Sequence, residues 1–406
     1  MSLSLLAVHQ GGGIGGAPVS LLKLLAALDR GEFAATAIFT EPGEILAYAT
    51  DLGVPARIVP TGGAFFYSAH AGLGPRAVAR FVRTFPAAVR TAQGTLRRAR
   101  PDVLHLNTSV LLPWAAAARR ERVPVVWVVR EVLGPNPWLR RWHASFILRH
   151  AQRVVAISDA VRDCFPSPSD PARLRRVYNT VDLAEFSLDL LDTAPTVRAE
   201  LGLRPEAKIV MALGSVQRTK GHWLLLDALS RLADHDVHLV LVTGGVGPAY
   251  RASRRGRIKR ILGLPMDNLD ALCRDAAGRR LSARLHVTGF QRDVARILSI
   301  ADVLVFPSLL PEGFGRPIIE AMAMARPVVA TDVGPSAELL GRATDAGRLV
   351  PADPASLARA LDALLRAPQE RARMGAAGRR RVEACFTLDR QVAAMSVIYR
   401  EARLSA

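Results

Sequence analysis

Short runs of apolar, β-branched residues alternate with longer amphipathic stretches along almost the whole chain, and this alternation restricts the fold most strongly. Strands are predicted at 4–9, 35–40, 57–60, 103–107, 125–129 and 153–157, and again at 208–213, 238–243, 284–288, 303–307, 327–331 and 348–350. The stretches between them, such as 17–28 and 223–232, have the period of helices. Because alternating strands and helices form parallel sheets with helices on both faces, the sequence predicts an α/β fold.

The chain length and one polar interval divide this pattern into two halves. At 406 residues the chain exceeds one ordinary core. Asp, Pro and Thr accumulate near 188–206, and a strand running into a glycine turn begins again at 208. We predict a first Rossmann-like domain over 1–187, a linker over 188–206 and a second Rossmann-like domain over 207–387. The amphipathic segment 388–406 is expected to form a helix that packs back on the first domain.

Charge and cysteine usage limit the partners and the compartment. The formal net charge of +18 favours polyanions such as nucleic acid, anionic lipid or phosphate-bearing substrates, although an arginine-rich composition alone produces the same excess. Cys164, Cys273 and Cys385 lie far apart, which predicts neither a zinc site nor a disulfide and fits a reducing cytosol. No apolar run approaches the roughly 18–20 residues that cross a bilayer. We therefore expect a cytoplasmic protein.

A glycine-rich turn follows the first predicted strand and precedes a helix that begins near Pro18. It contains Gly11, Gly12, Gly13, Gly15 and Gly16. Glycines let a ligand approach the backbone closely, and a helix N-terminus offers N–H groups to an anion. Positions 11, 13 and 16 also have the G-x-G-x-x-G spacing of dinucleotide sites, with Glu41 as the ribose ligand. Anion binding, a dinucleotide site and a flexible turn all stay open.

A second turn carries two cations after the first strand of the second half. It reads Gly214-Ser215-Val216-Gln217-Arg218-Thr219-Lys220-Gly221 and is not a Walker A loop. Open α/β sheets bind ligands at the carboxyl ends of their strands, so Arg218 and Lys220 are placed to hold a diphosphate. The alternative is a solvated turn.

The sharpest motif is Pro311-Glu312-Gly313-Phe314-Gly315-Arg316-Pro317, followed by Ile318-Ile319-Glu320. A predicted strand leads into this loop, Pro317 starts a helix, and Glu320 lies one turn inside it. Carboxylates at 312 and 320 suit sugar and ribose hydroxyls, and the amides of 313–315 suit diphosphate oxygens. The structural alternative is a capping role for Glu312 and a solvated Glu320.

These motifs resemble the retaining glycosyltransferases of family 4, which have the GT-B fold. The likeness is densest over 287–340, in Val287-Thr288-Gly289-Phe290, Ala301-Asp302-Val303, the Glu312–Gly315 loop, Glu320-Ala321-Met322 and Pro327-Val328-Val329-Ala330-Thr331. Further matches are Asn107, Ala156-Ile157-Ser158, Tyr178-Asn179-Thr180-Val181-Asp182 and Lys220-Gly221. The resemblance implies two Rossmann-like domains whose parallel sheets face each other across a cleft, with the acceptor domain first and the nucleotide-sugar domain second.

The resemblance also implies site roles. Glu312 would meet the donor sugar hydroxyls, Glu320 the ribose, and Lys220 the diphosphate, with Arg218 beside it. Phe290 and Gln291 would line the base, Gly313, Phe314 and Gly315 would bind the donor, and Gly15 and Gly16 the diphosphate or acceptor. The donor would be a UDP- or GDP-sugar, and the acceptor a glycan, a lipid-linked sugar or a small molecule in polysaccharide biosynthesis. Transfer would retain the anomeric configuration, and neither a metal nor another cofactor is expected.

Two positions depart from the family pattern. Many members carry an arginine directly after the glycine that opens the second turn, where this chain has Ser215; Arg218 is the candidate substitute. The strand at 125–129 often ends in a histidine near the acceptor, whereas here Arg130 and Glu131 follow it. An Arg–Glu pair does not act as a base at neutral pH in the way that histidine does. Binding of an acidic or phosphorylated acceptor by Arg130 is one alternative, and the acceptor chemistry stays open.

Two basic segments bear on other partners. Arg76, Arg80 and Arg83 follow helical spacing before an expected break at Pro86, and form either a solvated face or a contact with the inner face of an anionic membrane. The cluster at 251–260 is expected to be a mobile loop near the donor cleft, with polyanion binding as the alternative. It lacks interleaved aromatic residues, so nucleic-acid binding is not expected.

Two rival functions use the same residues differently. An NAD-dependent oxidoreductase would use Gly11–Gly16, but it leaves Glu312, Glu320 and Lys220 without roles. A non-catalytic polyanion-binding protein on a degenerate transferase scaffold would not need those three residues either. We therefore predict a glycosyltransferase.

Overall fold

The computed structural model describes residues 2–69, 74–167, 170–233, 236–244, 257, 259, 262, 264–341 and 345–405. The chain divides into two compact units. Unit 1 comprises Met1–Thr180, Pro311–Phe314 and Phe386–Ala406, and unit 2 comprises Val181–Leu310 and Gly315–Cys385. Most of the basic cluster at 251–260 lies outside the described residues.

Unit 1 is built on a seven-stranded parallel sheet in the order β3-β2-β1-β4-β5-β6-β7. Its strands are β1 Leu3–His9, β2 Phe33–Phe39, β3 Ala56–Ile58, β4 Val103–Leu106, β5 Val125–Val129, β6 Arg153–Ala156 and β7 Leu174–Arg176. The strand order reverses between β1 and β4, and open α/β sheets bind ligands beyond the carboxyl ends of strands at such a point. This edge carries the glycine-rich turn, Asn107 and Arg130.

Helices cover the sheet of unit 1. They are α1 Gly16–Ala27, α2 Ile45–Asp51, α3 Pro75–Ala99, α4 Leu112–Glu121, α5 Pro137–His150 and α6 Asp159–Arg162. The expected break of α3 at Pro86 is wrong, because the helix continues through it. Pro86 cannot donate to the carbonyl of Val82, but this half of α3 is exposed, so water can solvate that carbonyl.

Unit 2 is built on a six-stranded parallel sheet in the order β10-β9-β8-β11-β12-β13. Its strands are β8 Lys208–Leu213, β9 Val237–Val242, β10 Leu285–Val287, β11 Val303–Phe306, β12 Val328–Thr331 and β13 Arg348–Val350. Its described helices are α7 Ala194–Glu200, α8 His222–Leu229, α9 Asn268–Gly278, α10 Val294–Leu298, α11 Arg316–Ala323, α12 Ser336–Leu340, α13 Pro354–Arg366 and α14 Pro368–Cys385. Leucines of α8 and α13 pack with the valines of β8, β11 and β12 in one core.

Two parallel sheets with helices confirm the predicted α/β class. The predicted interval 188–206 contains a 3₁₀ helix, Leu188–Thr193, and α7, both in unit 2. The domain boundaries themselves stay a prediction. No helix in the described ranges is both long and apolar enough to cross a membrane.

The last helix of the chain, α15 at Leu388–Leu404, belongs to unit 1 and packs against α1, β4 and β5. Tyr399 on α15 is fully buried, and its hydroxyl lies 2.7 Å from Nδ1 of His105. Arg153 and Arg175 form ion pairs with Glu401, two residues later on the same helix. A buried hydrogen bond and these ion pairs therefore help to attach α15 to the sheet.

We predict that Tyr399→Phe lowers the free energy of unfolding of unit 1 by about 1–3 kcal/mol, because His105 Nδ1 loses its buried partner. Denaturant unfolding followed by tryptophan fluorescence measures this, since Trp114, Trp127, Trp138 and Trp142 lie in unit 1. Val397→Ala, at a position on the same helix that is 43% exposed, should cost less than about 0.5 kcal/mol. Equal losses in both variants would contradict the assignment.

Candidate functional site

The glycine-rich turn of unit 1 is held closely against the start of α2. Gly11 has φ +90° and its N–H donates to Thr40 Oγ1 over 3.0 Å. A Cβ on Gly12 would lie 2.2 Å from the carbonyl oxygen of Glu41, so only glycine fits there. Gly15 is the N-cap residue of α1 and provides no side-chain cap, and Gly16 begins the helix. Anion binding at this helix N-terminus stays a prediction.

Beneath this turn lies a cluster of buried polar side chains from the ends of β1 and β4. Asn107 is fully buried, and its Nδ2 donates to His9 Nδ1 over 3.0 Å and to the carbonyl oxygen of Ala17 over 3.2 Å. Asn107 Oδ1 lies 3.3 Å from His105 Nε2. Because Oδ1 only accepts, His105 carries its proton on Nε2, and Nδ1 accepts from the Tyr399 hydroxyl.

Both imidazoles of this cluster are neutral at ordinary pH. Burial, with the positive charge of Arg130 as the second cause, lowers the pKa of His9 to about 3. The same two causes lower the pKa of His105 to about 3. Neither histidine therefore adds a positive charge beneath the turn.

Arg130 supplies the charge at this edge. Its side chain follows β5 and the residue is only 8% exposed. Nε donates to Asn107 Oδ1 over 2.7 Å, and Nη1 donates to Asn179 Oδ1 over 2.7 Å. Asn179 also accepts from the hydroxyl of Ser20 on α1 over 3.5 Å. The two amides fix the guanidinium against the start of α1.

The side chain of Glu131 accepts hydrogen bonds from the backbone near Arg130. Its Oε2 accepts from the N–H groups of Ser109 over 3.0 Å and of Arg130 over 3.2 Å. Burial raises the pKa of Glu131, against the opposing effect of these hydrogen bonds. In this structure the carboxylate fixes two chain segments, and its predicted contact with an acceptor stays a prediction.

The segment 311–314 is grouped with unit 1. A Cβ on Gly313 would lie 1.9 Å from the carbonyl oxygen of Arg130, and the hydroxyl of Ser158 donates to the Gly313 carbonyl over 2.7 Å. Phe314 is 4% exposed and packs beside Tyr178 and Phe386, with ring centroids 6.0 and 6.1 Å away. Its ring therefore contributes to the core. Glu312 is half-buried at the start of this segment.

In unit 2, the Lys220 turn is attached to the end of β11. Gly221 has φ +71°, and a Cβ there would lie 1.8 Å from the carbonyl oxygen of Pro307. The N–H of Leu309 donates to the carbonyl of Thr219 over 2.8 Å. At the start of the turn, Gly214 has φ +114°, and a Cβ on it would lie 3.7 Å from Lys220 Nζ. The ammonium therefore lies over the backbone of Gly214, at the carboxyl end of β8.

Arg218 is directed differently from its neighbour. Its guanidinium carbon lies 4.4 Å from the centre of the Trp223 ring, which is a cation–π contact. The side chain is exposed. The predicted role of Arg218 beside Lys220 stays a prediction.

Glu320 lies in the first turns of α11. Its side chain is 9% exposed, and Oε1 lies 2.7 Å from Nη2 of Arg316, one turn earlier. Gly315 precedes the helix with φ +101°, and a Cβ there would lie 3.2–3.5 Å from Phe306, Ile318 and Leu339. The carboxylate is thus fixed before any ligand binds. Sequence reasoning missed Arg316, although the i, i+4 spacing of the two residues gave the signal.

Phe290 and Gln291 follow β10. Phe290 is 61% exposed, and a Cβ on Gly244 would lie 3.7 Å from its Cβ. Gln291 Nε2 donates to the carbonyl of Thr288 over 2.8 Å. An exposed aromatic ring beside a glycine at the end of β9 has the form needed to stack on a base, and this role stays a prediction.

Two other observations concern rival chemistry. Gln10 Nε2 donates to Glu41 Oε1 over 3.1 Å, so the candidate ribose ligand of a dinucleotide site has a side-chain partner. Among the described residues, no three His, Cys, Asp or Glu side chains are grouped as metal ligands. The expectation of metal-free chemistry stays a prediction.

Two protein-family models match the chain. The model for Glycosyltransferase Family 4 matches residues 14–185, and the model for Glycosyl transferases group 1 matches residues 194–381. The fold and the matched families confirm the predicted GT-B class with two Rossmann-like units.

Three proteins illustrate the likeness. D-inositol 3-phosphate glycosyltransferase of Streptomyces bingchenggensis is 30% identical over 308 residues, 70% of this chain and 63% of that protein. Spore coat protein SA of Bacillus subtilis is 23% identical over 76% of this chain and 80% of its own. The crystal structure of Anabaena Alr3699/HepE in complex with UDP and glucose has a TM-score of 0.76 and 21% identity, covering 97% of this chain and 98% of that one. The chain thus spans less than two thirds of the first relative.

We predict that unit 1 loses stability between pH 6.5 and 5. Unfolded histidines take up protons below pH 6.5, but folded His9 and His105 do so only near 3. Each imidazole therefore removes free energy at a slope that approaches about 1.4 kcal/mol per pH unit well below pH 6.5, which amounts to about 3 kcal/mol for the two over this range. The raised pKa of Glu131 acts in the opposite sense, because the folded chain then takes up its proton first.

The free energy of unfolding at pH 6.5 and pH 5, followed by tryptophan fluorescence, measures this slope. His9→Asn removes one titrating imidazole and should therefore make the dependence of the free energy of unfolding on pH shallower. The oxygen of the new Asn side chain can still accept from Asn107, so the hydrogen bond is kept. A free energy independent of pH in this range would be inconsistent with two buried neutral imidazoles.

Proposed function

The chain belongs to family 4 of the glycosyltransferases, and we propose that it transfers a sugar from a nucleoside-diphosphate sugar to an acceptor hydroxyl with retention of anomeric configuration. The observation that carries this proposal is the attachment of the Lys220 turn to the end of β11. Gly221 against the Pro307 carbonyl and Leu309 against Thr219 hold an ammonium at the carboxyl end of the unit 2 sheet. A fixed cation there suits a diphosphate leaving group.

The nucleoside would bind in unit 2. Glu320 is fixed by Arg316, and a carboxylate held in this way accepts hydrogen bonds from the ribose hydroxyls without further ordering. The exposed Phe290 ring would stack on the base, with Gln291 beside it. UDP is supported as the nucleotide by the name of the Anabaena structure, which contains UDP and glucose. GDP stays the alternative.

The reacting sugar would be bound through the loop at 312–315. Glu312 would accept from the sugar hydroxyls, and the amides of Gly313, Phe314 and Gly315 would face donor oxygens. Gly313 cannot be replaced by a larger residue without moving the Arg130 carbonyl. The chemistry at the loop therefore depends on its backbone position as well as on its carboxylate.

The acceptor would be bound in unit 1, at the edge formed by Gly15, Gly16, Arg130 and Glu131. The amide oxygens of Asn107 and Asn179 orient the guanidinium of Arg130, whose positive charge suits an anionic group. We propose that the acceptor carries a phosphate or carboxylate. Several relatives are named D-inositol 3-phosphate glycosyltransferases, which agrees with a phosphorylated acceptor. Glycan, lipid-linked and small-molecule acceptors all include such anions.

The reaction would follow a front-face route. The bond from the anomeric carbon to the leaving phosphate oxygen breaks, and a bond from that carbon to the acceptor oxygen forms on the same face. The acceptor proton passes to the leaving phosphate oxygen, so the products are the glycoside and the nucleoside diphosphate. Lys220 and the α11 N-terminus would stabilise the developing charge, which is why no metal is invoked.

We propose that the protein acts in the cytoplasm, in peripheral contact with an anionic membrane. Arg76, Arg80 and Arg83 lie on the exposed half of α3, together with Val78 and Val82, which are 41% and 63% exposed. Cationic and apolar side chains on one exposed helix suit an anionic lipid surface.

Thermal-shift measurements with UDP, GDP, ADP and NAD test the proposal, because a ligand that binds only the folded chain raises its melting temperature. We expect a shift with UDP or GDP and turnover with the matching nucleotide-sugar. A response to NAD alone would overturn the proposal in favour of an oxidoreductase. A folded chain that binds a polyanion but turns over no nucleotide-sugar would favour a binding protein.

We predict that Lys220→Ala lowers kcat about 10²–10³-fold, because the diphosphate loses its fixed cation. Arg218→Ala is the matched control in the same turn and should lower kcat less than about tenfold, since Arg218 lies on Trp223.

Glu320→Gln should mainly weaken nucleotide binding, whereas Glu312→Gln should mainly lower kcat. Steady-state kinetics separate an effect on kcat from an effect on KM. Values of kcat and KM that are unchanged in the Lys220 variant and in both glutamate variants would contradict the assignment of the site.

A further inference from the structure

A pocket of about 610 Å³ lies at the opposite edge of the unit 1 sheet from Arg130. Val123 and Gln152, which precede β5 and β6, form its floor, whereas Arg130 follows β5. A five-residue strand spans about 16 Å, so the pocket is separate from the proposed acceptor site. Its charged or titratable lining residues are Arg119, Arg122, Arg149, His150, Arg153, Asp170 and Arg173. We name it the arginine pocket.

The five arginines of the arginine pocket differ in the hydrogen bonds and ion pairs that their side chains make. Arg153 forms an ion pair with Glu401, and Arg173 donates to the carbonyls of Leu148 and Ala151 at the end of α5. The Nε of Arg149 donates to the carbonyl of Ser145. Arg119 and Arg122 are exposed, and among the described residues their guanidinium groups make no hydrogen bond or ion pair.

The balance of charge favours an anion. The C-terminal ends of α4 and α5 meet here, and each is equivalent to about half a negative charge, which explains part of the cation excess. Asp170 and Glu401 supply two further negative charges, and Glu401 is shared between Arg153 and Arg175. An excess of at least about two positive charges remains, which is enough for the charge of about −2 on a phosphate monoester.

A second pocket of about 590 Å³ adjoins the first and shares Arg149 with it. It is lined by Trp138, Arg141, Trp142, Ser145, Leu148 and Arg149 on the outer face of α5. Trp138 is 82% exposed and Trp142 is 41% exposed. Exposed indole rings beside arginines suit a ligand with an apolar or aromatic part next to its phosphate.

We propose that the arginine pocket binds a phosphate group, through Arg119, Arg122 and Arg149, at a site distinct from the donor and acceptor positions. The phosphate belongs either to a small phosphorylated compound or to the headgroup of an anionic lipid. In both cases the neighbouring tryptophans contact the part of the ligand that follows the phosphate. This inference does not depend on the proposed transfer reaction.

His150 gives a local readout of binding. It lines the arginine pocket, and burial together with the charges of Arg119 and Arg149 lowers its pKa. An anion bound between these arginines offsets their charge and raises that pKa. The ring resonances of His150, assigned with His150→Gln, therefore report binding in this pocket.

The first experiment titrates the full chain with pyrophosphate at constant ionic strength while the His150 resonances are followed by NMR. We expect saturable binding that is at least tenfold weaker in Arg119→Gln/Arg122→Gln, because two charge-assisted contacts are lost. Arg231→Gln/Arg390→Gln removes two exposed arginines elsewhere and should retain the wild-type affinity.

The second experiment measures sedimentation with vesicles of phosphatidylglycerol and phosphatidylcholine, compared with phosphatidylcholine alone. Anionic-vesicle binding that is lost in the Arg119/Arg122 variant and in Trp138→Ser supports a lipid headgroup. Pyrophosphate binding without vesicle binding, or with vesicle binding that both variants retain through another surface such as α3, supports a small phosphorylated compound. Neither pyrophosphate nor vesicle binding, or equal affinities in the Arg119/Arg122 variant and its control, would overturn the proposal.

Discussion

The guanidinium of Arg130, held between the amide oxygens of Asn107 and Asn179, organises the ligand-binding edge of unit 1. A cation that is almost fully buried is costly unless strong acceptors surround it. Asn107 meets this need while also bonding His9, His105 and the first turn of α1. The ends of β1, β4 and β5 are therefore fixed to one another through a single amide. Because both imidazoles are neutral, they add no repulsion to the buried guanidinium.

The ligand-binding edge of unit 2 depends on a different constraint, the close approach of backbone to backbone. Gly221 lies against the Pro307 carbonyl, and Gly315 lies against Phe306, Ile318 and Leu339, each with positive φ. A side chain at either position would move the turn that carries Lys220 or the helix that carries Glu320. Charge is thus positioned by side-chain amides in unit 1 and by glycines in unit 2. Both devices fix the charged group before a ligand arrives, which is the condition for electrostatic stabilisation of a transition state.

The sequence predicted the secondary structure well where the apolar periodicity is strong, and poorly where tertiary contacts determine whether a helix or strand forms. The twelve predicted strands fall within a residue or two of the observed ones, because buried parallel strands are continuous apolar runs. The short strand β7, Leu174–Arg176, was missed because it contains two arginines. Pro86 was expected to break α3, but solvent exposure of that half lets the helix continue. Exposure of this kind is set by the rest of the fold and has no local signal.

The candidate site shows the same division. The residue types at 220, 312 and 320 indicated phosphate and sugar chemistry without coordinates, but their partners could not be foreseen. Phe314 is buried beside Tyr178 and Phe386, which are distant from it in the sequence. The contact of Arg218 with Trp223 depends on the conformation of the turn between them. Asn179 was visible only as part of a motif, and its bond to Arg130 required the sheet to bring β5 and the segment after β7 together.

The most direct test of the account is a crystal structure of the chain with UDP or GDP bound. The account predicts that the diphosphate oxygens lie within hydrogen-bond distance of Lys220 Nζ and that the ribose hydroxyls donate to Glu320. A nucleotide bound instead along Gly11–Gly16, with its ribose on Glu41, would contradict it.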